Sequence, residues 1–275
     1  MDVTLADADA LLAAAREAAA VLMEGYRRPV EVEHKGPIDL VTRWDRASED
    51  RLRAALARAF PGVTLVAEES STGAAPDGLA LWADPLDGTT NFVHGLPLFA
   101  VSIGLAAGPT LLAGAVVAPA LGLAWHGARG HGAYRNGIPC QVSATASLDR
   151  ALLATGFPYD NATNPLDNFA EFAALTRRSR GVRRCGAASL DLCFTADGTF
   201  DGYWERSSSP GTRRRRPAGD RSGRLGHGPR RRGDGLPRGM ARGEQRAVHD
   251  ELVAALAAVP RRRVSGGGRR LAGRD

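Results

Sequence analysis

A chain of 275 residues with 44% hydrophobic content can bury a sizeable core, as one large domain or two small ones. With no apolar run of roughly 18 residues and no basic, apolar, small-residue order at its N-terminus, it is expected to be soluble and cytoplasmic, without a membrane partner. Its net charge of +6 is uneven: residues 1–206 hold 18 Lys+Arg against 24 Asp+Glu (net −6), whereas residues 207–275 hold 18 against 6 (net +12).

From about Leu5 to Tyr26 an Ala-rich stretch carries Leu11, Leu12, Ala15, Ala19 and Leu22 at helical spacing, and Gly25 and Pro29 end it. Residues Val30 to Val41 read as extended or loop and deliver Asp39-Leu40-Val41-Thr42 and Asp45. A second helix is expected over roughly Arg46 to Phe60, with Leu52, Ala55, Leu56 and Ala59 on one face and Pro61-Gly62 as its stop. Val63 to Ala67 then reads as a buried strand that runs into Glu68-Glu69-Ser70.

Leu79 to Trp82 is a second short apolar strand, ending in Ala83-Asp84-Pro85-Leu86-Asp87-Gly88-Thr89-Thr90-Asn91-Phe92. Leu98 to Ala107, Leu111 to Pro119 and Leu121 to His126 follow as strands, and Arg135-Asn136-Gly137 is a strong hairpin turn, so this part reads as an antiparallel meander. Asn164 to Ser179 is expected as an amphipathic helix, Val182 to Arg184 as a short strand, Ala187 to Ala196 as a helix opened by Gly186, and Thr199 to Glu205 as a strand. Alternation, then a meander, then alternation implies an α+β protein with helices covering sheets. Cys140, Cys185 and Cys193, odd in number and without CxxC spacing, fit reduced buried thiols. His94, His126 and His131 lack metal-ligand spacing, and Trp44 and Trp82 fit core positions.

The acids at the two strand ends carry the chemistry. An Asp-Pro-x-Asp-Gly string is also good turn sequence, and two glutamates at a strand end are usually solvated. Two neighbouring strands that both end in acids can nevertheless bring those acids together. Several carboxylates and a backbone carbonyl around one point suit a hard divalent cation such as Mg²⁺. Phosphate-ester hydrolysis needs such a site, because charge on the phosphoryl oxygens must be neutralised and a water made nucleophilic.

Glu68-Glu69-Ser70, Asp84-Pro85-Leu86-Asp87-Gly88-Thr89-Thr90-Asn91-Phe92 and Asp39-Leu40-Val41-Thr42-Arg43-Trp44-Asp45 together resemble the inositol monophosphatase family, Mg²⁺-dependent, lithium-sensitive phosphatases. Val93 to Pro97, Gly156-Phe157-Pro158 and Gly186-Ala187-Ala188-Ser189-Leu190-Asp191-Leu192 add to the likeness, which runs from about residue 5 to 206. The resemblance implies a layered αβαβα sugar-phosphatase-like fold, with helices on two mainly antiparallel or mixed sheets. It implies two or three Mg²⁺ ions held by Glu68, Asp84, Asp87 and the Leu86 carbonyl. Asp45 and Thr89 would orient and help deprotonate the attacking water, and Glu69, counted with them as catalytic, and Asp39 would either stand behind the ligands or hold a third cation. Gly88, Thr89 and Thr90 would receive the phosphate, Gly186, Ala187 and Ala188 would line the ring pocket, and Glu205 would accept hydrogen bonds from substrate hydroxyls. The implied substrate is a small polyol or sugar phosphate such as inositol monophosphate, with histidinol phosphate as the alternative within the class and a homodimer as the possible assembly.

The pattern breaks after Arg206. The family carries a Trp-Asp pair seven residues beyond the glutamate matched to Glu205, and its Asp binds the second cation, but this chain has Gly211-Thr212 there. Residues 207–245 are Arg-, Gly- and Pro-rich and are expected to be disordered. Residues 246–258 again read as the family's last helix, and 259–275 as a basic tail. A reading-frame slip accounts for this: Pro-Trp-Asp written CCG TGG GAC G becomes Pro-Gly-Thr, CCG GGG ACG, on loss of one T, matching Pro210-Gly211-Thr212. The resulting division is 1–140 (metal-binding α+β part), 141–206 (second α/β part), 207–245, 246–258 and 259–275. Loss of the second-cation Asp implies impaired activity, and loss of the helix it opens implies exposed apolar surface. The rival reading is an inactive phosphatase-like protein whose basic tail binds polyanions. No aromatic residue lies between Ser207 and Asp275, so a specific nucleic acid is not expected as a partner.

Overall fold

Two helices at the N-terminus form one outer layer. The first, α1 (Leu5–Gly25), buries Leu11, Leu12, Ala15, Ala18, Ala19 and Leu22; the second, α2 (Arg43–Ala59), buries Leu52, Ala55 and Leu56. The computed structural model describes residues 3–34, 40–69, 78–158, 167–205 and 246–259, so the readings made for 207–245 and for 260–275, and Asp39 itself, lie outside the described residues. Helix α2 starts three residues before the expected Arg46, because Thr42 and Asp45 form a capping box. The Thr42 backbone N–H and hydroxyl both donate to Asp45 Oδ2, at 2.8 and 2.7 Å. An antiparallel pair, β1 (Val32–His34) and β2 (Leu40–Thr42), leads into that cap.

Both helices lie on one face of a seven-stranded sheet in the order β3 (Thr64–Ala67), β4 (Leu79–Asp87), β5 (Ala100–Ala107), β6 (Thr110–Ala118), β7 (Leu123–Ala128), β8 (Gly132–Arg135) and β9 (Ile138–Pro139). From β4 onward every pairing is antiparallel, which is the expected meander, and positive φ at Asn136 (50°) and Gly137 (81°) closes the last hairpin. Trp82 is core, and His126 packs in a structural role, its Nε2 3.2 Å from Asp9 of α1.

The second sheet has three strands, β11 (Gly181–Arg183), β10 (Leu152–Thr155) and β12 (Gly202–Trp204), and both pairings are parallel rather than mainly antiparallel or mixed as expected. The reason is its connections: α4 (Phe169–Thr176) and α5 (Ala188–Ala196) each separate consecutive strands, and such helical crossovers return the chain in the same direction. Helix α4 is shorter than the expected Asn164 to Ser179; Asn168, at φ 70° and fully buried, turns the chain into it.

Helix α5 sits between the two sheets. Leu190 and Cys193 pack with Val116 and Trp125 of the large sheet, while Leu192 packs with Ala154 and Tyr203 of the small one. A helix apolar on nearly all sides is one buried on nearly all sides. On the far face of the small sheet, α6 (Arg246–Ala257) joins Leu148, Leu153, Leu175 and Trp204 through Val248, Leu252 and Leu256. The order of layers is thus helices, large sheet, helix, small sheet, helices, the αβαβα arrangement, and the expected last helix is in place.

The close approach of α1 to α2 generates a test. A methyl group on Gly25 would fall 2.1 Å from the Trp44 ring, one residue before Asp45. Gly25→Ala is expected to lower unfolding stability by about 1–3 kcal/mol, measured by urea denaturation.

Candidate active site

The site grows from one pairing. Strands β3 and β4 run parallel with Val66 opposite Trp82 and Ala67 opposite Ala83, so Glu68 emerges beside Asp84, and the Glu68 N–H still donates to Ala83 O at 3.2 Å. β4 does not stop at its first acid, as the sequence suggested, but continues to Asp87 through a bulge. Asp84 faces Ser102 and Asp87 faces Ala100, so three steps along β4 match two along β5. In a regular strand residues three apart point to opposite faces; the extra residue restores Asp84 and Asp87 to the same side. Pro85 fits here because a bulge asks no ladder hydrogen bond of it. Ser48 of α2 donates to Pro85 O at 2.8 Å and pins the bulge from below.

These carboxylates crowd one another. Although part of Asp84 reaches the surface, burial and then the charges of Glu68 and Asp87 hold its carboxyl well above the usual range. Its Oδ1 accepts from Leu86 N at 3.0 Å. Asp87 Oδ2 accepts from both the backbone N–H (2.6 Å) and the hydroxyl of Ser189 at the start of α5. Thr89 Oγ1 lies between Asp45 Oδ1 (3.1 Å) and Leu86 O (3.0 Å), so the cap of α2, the bulge and the next helix meet at one hydroxyl. Glu69 lies at the edge, its N–H donating to Glu49 Oε2 at 3.0 Å and its charge acting on Arg46.

After Asp87 the chain turns at Gly88, φ 91°, into the short helix α3 (Thr89–Val93), whose Thr90 is exposed. A Cβ on Gly88 would lie 2.8 Å from Leu98 O and 3.2 Å from Ala187 Cβ, so this position needs glycine both for its φ and for that contact. The same contact brings Gly186, Ala187 and Ala188 against the acid cluster. Asn91 fixes it, donating through Nδ2 to Leu98 O (2.6 Å) and Cys185 O (2.8 Å). Glu205 follows β12, and its charge and that of Asp87 both act on Asp191.

Ser189, Asn91 and Asp191 were not singled out by sequence reasoning. A signal existed for two of them: Ser189 and Asp191 are polar residues on a helix that is otherwise apolar all round. Asp191 is 1% exposed, and among the described residues its Oδ1 has no hydrogen-bond partner. Burial pushes its pKa up to about 7, with Asp87 and Glu205 acting the same way and the Cys185 thiol and Arg184 opposing them. Burial likewise pushes the Cys185 and Cys193 thiols far up, which makes them inert rather than nucleophilic.

The donor set fits a hard divalent cation: Glu68, Asp84, Asp87 and the Leu86 carbonyl offer only oxygen, and the crowding at Asp84 is what such a charge relieves. Among the described residues, no three Asp, Glu, His or Cys side chains already converge as a ligand cage. Nor is any helix among them long and apolar enough to cross a membrane.

The chain is similar to known proteins over most of its described length. The sequence model of the inositol monophosphatase family matches residues 6–213. An inositol-1-monophosphatase of Synechocystis is 41% identical over 204 residues, covering 74% of this chain and 70% of that protein. The Nus factor SuhB of Pseudomonas aeruginosa is 42% identical over 201 residues, covering 70% and 74%. The solved structure of an inositol monophosphatase from Anabaena superposes with a TM-score of 0.70 at 35% identity, covering 92% of this chain and 96% of that one.

Asp191 sets a pH dependence. Unfolded, it ionises near 3.8; folded, near 7. Between those values the folded state keeps a proton that the unfolded state has released, so stability falls as pH rises through that window. In metal-free buffer, Asp191→Asn is expected to remove this loss and to be more stable than the unaltered chain above pH 7, by about 1–4 kcal/mol. Thermal unfolding at pH 5 and pH 8 checks it.

Proposed function

Because the chain belongs to the inositol monophosphatase family, a family of phosphoric monoester hydrolases, we propose that it hydrolyses a small polyol or sugar phosphate monoester, inositol monophosphate foremost, with Mg²⁺ as cofactor. The observation that carries the reading is the Thr89 hydroxyl, shared between Asp45 and Leu86 O beside the Glu68, Asp84 and Asp87 carboxylates.

Glu68, Asp84, Asp87 and Leu86 O would hold the cation, which when bound supplies positive charge to the phosphoryl oxygens and acidifies a water. The protein's own part is orientation and proton transfer. Thr89 directs its proton to Asp45 Oδ1, which leaves a lone pair on Oγ1 to accept a proton from an incoming water. As Oγ1 accepts the water's proton, the Thr89 proton would pass to Asp45 Oδ1, whose direction is fixed because the cap of α2 holds Oδ2. The amides of Gly88, Thr89 and Thr90 would receive the phosphate, Gly186 to Ala188 would line the space for the alcohol, and Glu205 would accept from its hydroxyls. Glu69 would support a further cation. Gly211-Thr212 in place of Trp-Asp removes one ligand of the second cation, so activity in this chain is impaired.

Phosphate release from myo-inositol 1-phosphate is expected to depend on Mg²⁺, and Thr89→Ala is expected to lower kcat by about 10²-fold with the fold intact. A chain with residues 207–245 restored in frame is expected to exceed this one in rate by a similar factor, roughly 10²-fold. Equal rates would refute the impairment, and no Mg²⁺-dependent release from either chain would refute the phosphatase reading.

A further inference from the structure

Strands β10 and β12 are parallel neighbours with Thr155 opposite Trp204, so Gly156 and Glu205 leave the sheet side by side. The glycine makes room for the acid: a Cβ there would stand 2.8 Å from Glu205 Oε1, 2.9 Å from its carboxyl carbon and 3.1 Å from the Tyr203 hydroxyl. Tyr203, two residues before Glu205 and hence on the same side of the strand, donates its hydroxyl to Glu205 Oε2 at 2.8 Å.

The floor beneath this pair is rigid. Asn168, fully buried, donates to Gly156 O (2.7 Å) and Thr155 Oγ1 (2.8 Å) and accepts from Trp204 Nε1 (2.8 Å), while Thr155 Oγ1 donates to Trp204 O (2.7 Å). Every bond in that network fixes the backbone on which Gly156 and Glu205 sit. None of these hydrogen bonds involves Glu68, Asp84 or Asp87.

We propose that Tyr203 and Gly156 are specificity-determining positions: Tyr203 orients the Glu205 carboxylate toward the substrate's hydroxyls, and Gly156 keeps open the volume that this orientation requires. The inference rests on the phosphatase reading above and deepens it, since it concerns selection of a hydroxyl-rich alcohol rather than recognition of phosphate. A carboxylate with one oxygen tied to a phenol on rigid backbone presents its acceptor lone pairs in a fixed direction. A freely rotating one must be ordered by each ligand that binds.

The test is a pair of affinities on the full chain in Mg²⁺, one for myo-inositol 1-phosphate and one for inorganic phosphate, measured by titration calorimetry. Tyr203→Phe is expected to weaken myo-inositol 1-phosphate by about three- to tenfold and to leave phosphate within about twofold. Gly156→Ala, whose methyl displaces the carboxylate directly, is expected to shift the same ratio at least as far. A structural role alone would weaken both ligands together. If both variants change the two affinities equally or not at all, or if the unaltered chain binds the inositol ester no better than phosphate, the inference is overturned while the phosphate site stands. If the unaltered chain binds neither ligand, the phosphatase reading falls and this inference with it.

Discussion

The constraint on which the rest depends is the bulge in β4. Glu68 comes beside Asp84 through parallel register alone, but Asp87 would face the wrong side of a regular strand. One extra residue between Asp84 and Asp87 corrects this and frees the Leu86 carbonyl from the ladder to face Thr89. The surrounding structure holds the bulge open: Ser48 takes Pro85 O, Asn91 ties the next loop to Cys185, and Ser189 grips Asp87. Each of these three polar contacts comes from a different helix, which is why the layers must assemble before the site exists.

Asp45 shows how closely stability and chemistry are joined. One of its oxygens completes the capping box that starts α2, and the other receives the Thr89 hydroxyl. An N-cap contributes about 1 kcal/mol to a helix, and here it also fixes the direction of the second oxygen. The buried carboxylate is therefore oriented by the helix's own start, with no added scaffold.

Much of this was legible in the chain. The periodicity of α1 and the Asn136-Gly137 turn reflect local rules, and the strand–acid junction Ala67-Glu68 falls where β3 ends. What was not legible depends on long-range pairing. That β4 continues past Asp84 follows from β5 lying alongside it, and that the small sheet is wholly parallel follows from where α4 and α5 cross. The start of α2 has a local signature, since Thr42-x-x-Asp45 is a capping pattern, but the same Asp45 also fits a chemical role, so the pattern alone does not place the helix start. Asn91, Ser189 and Tyr203 act on partners seven, 102 and two residues away; Tyr203, at the strand's period of two from Glu205, and Ser189, polar on a mostly apolar helix, carry local clues, and Asn91 carries none.

The site also shows how a fold carries like charges that it does not allow to part. Burial, and then the charges of Glu68 and Asp87, push the Asp84 carboxyl well above its usual range, Asp87 is held by two donors of Ser189, and Leu86 O lies 3.0 Å from the Thr89 hydroxyl. Every proposed cation ligand thus has an internal partner, Glu68 sharing a side-chain hydrogen bond with Asp84. Capture of a cation would exchange some of those contacts for metal–oxygen bonds. Affinity would then be the difference between two well-satisfied arrangements. Each ligand carboxylate therefore matters out of proportion to its number.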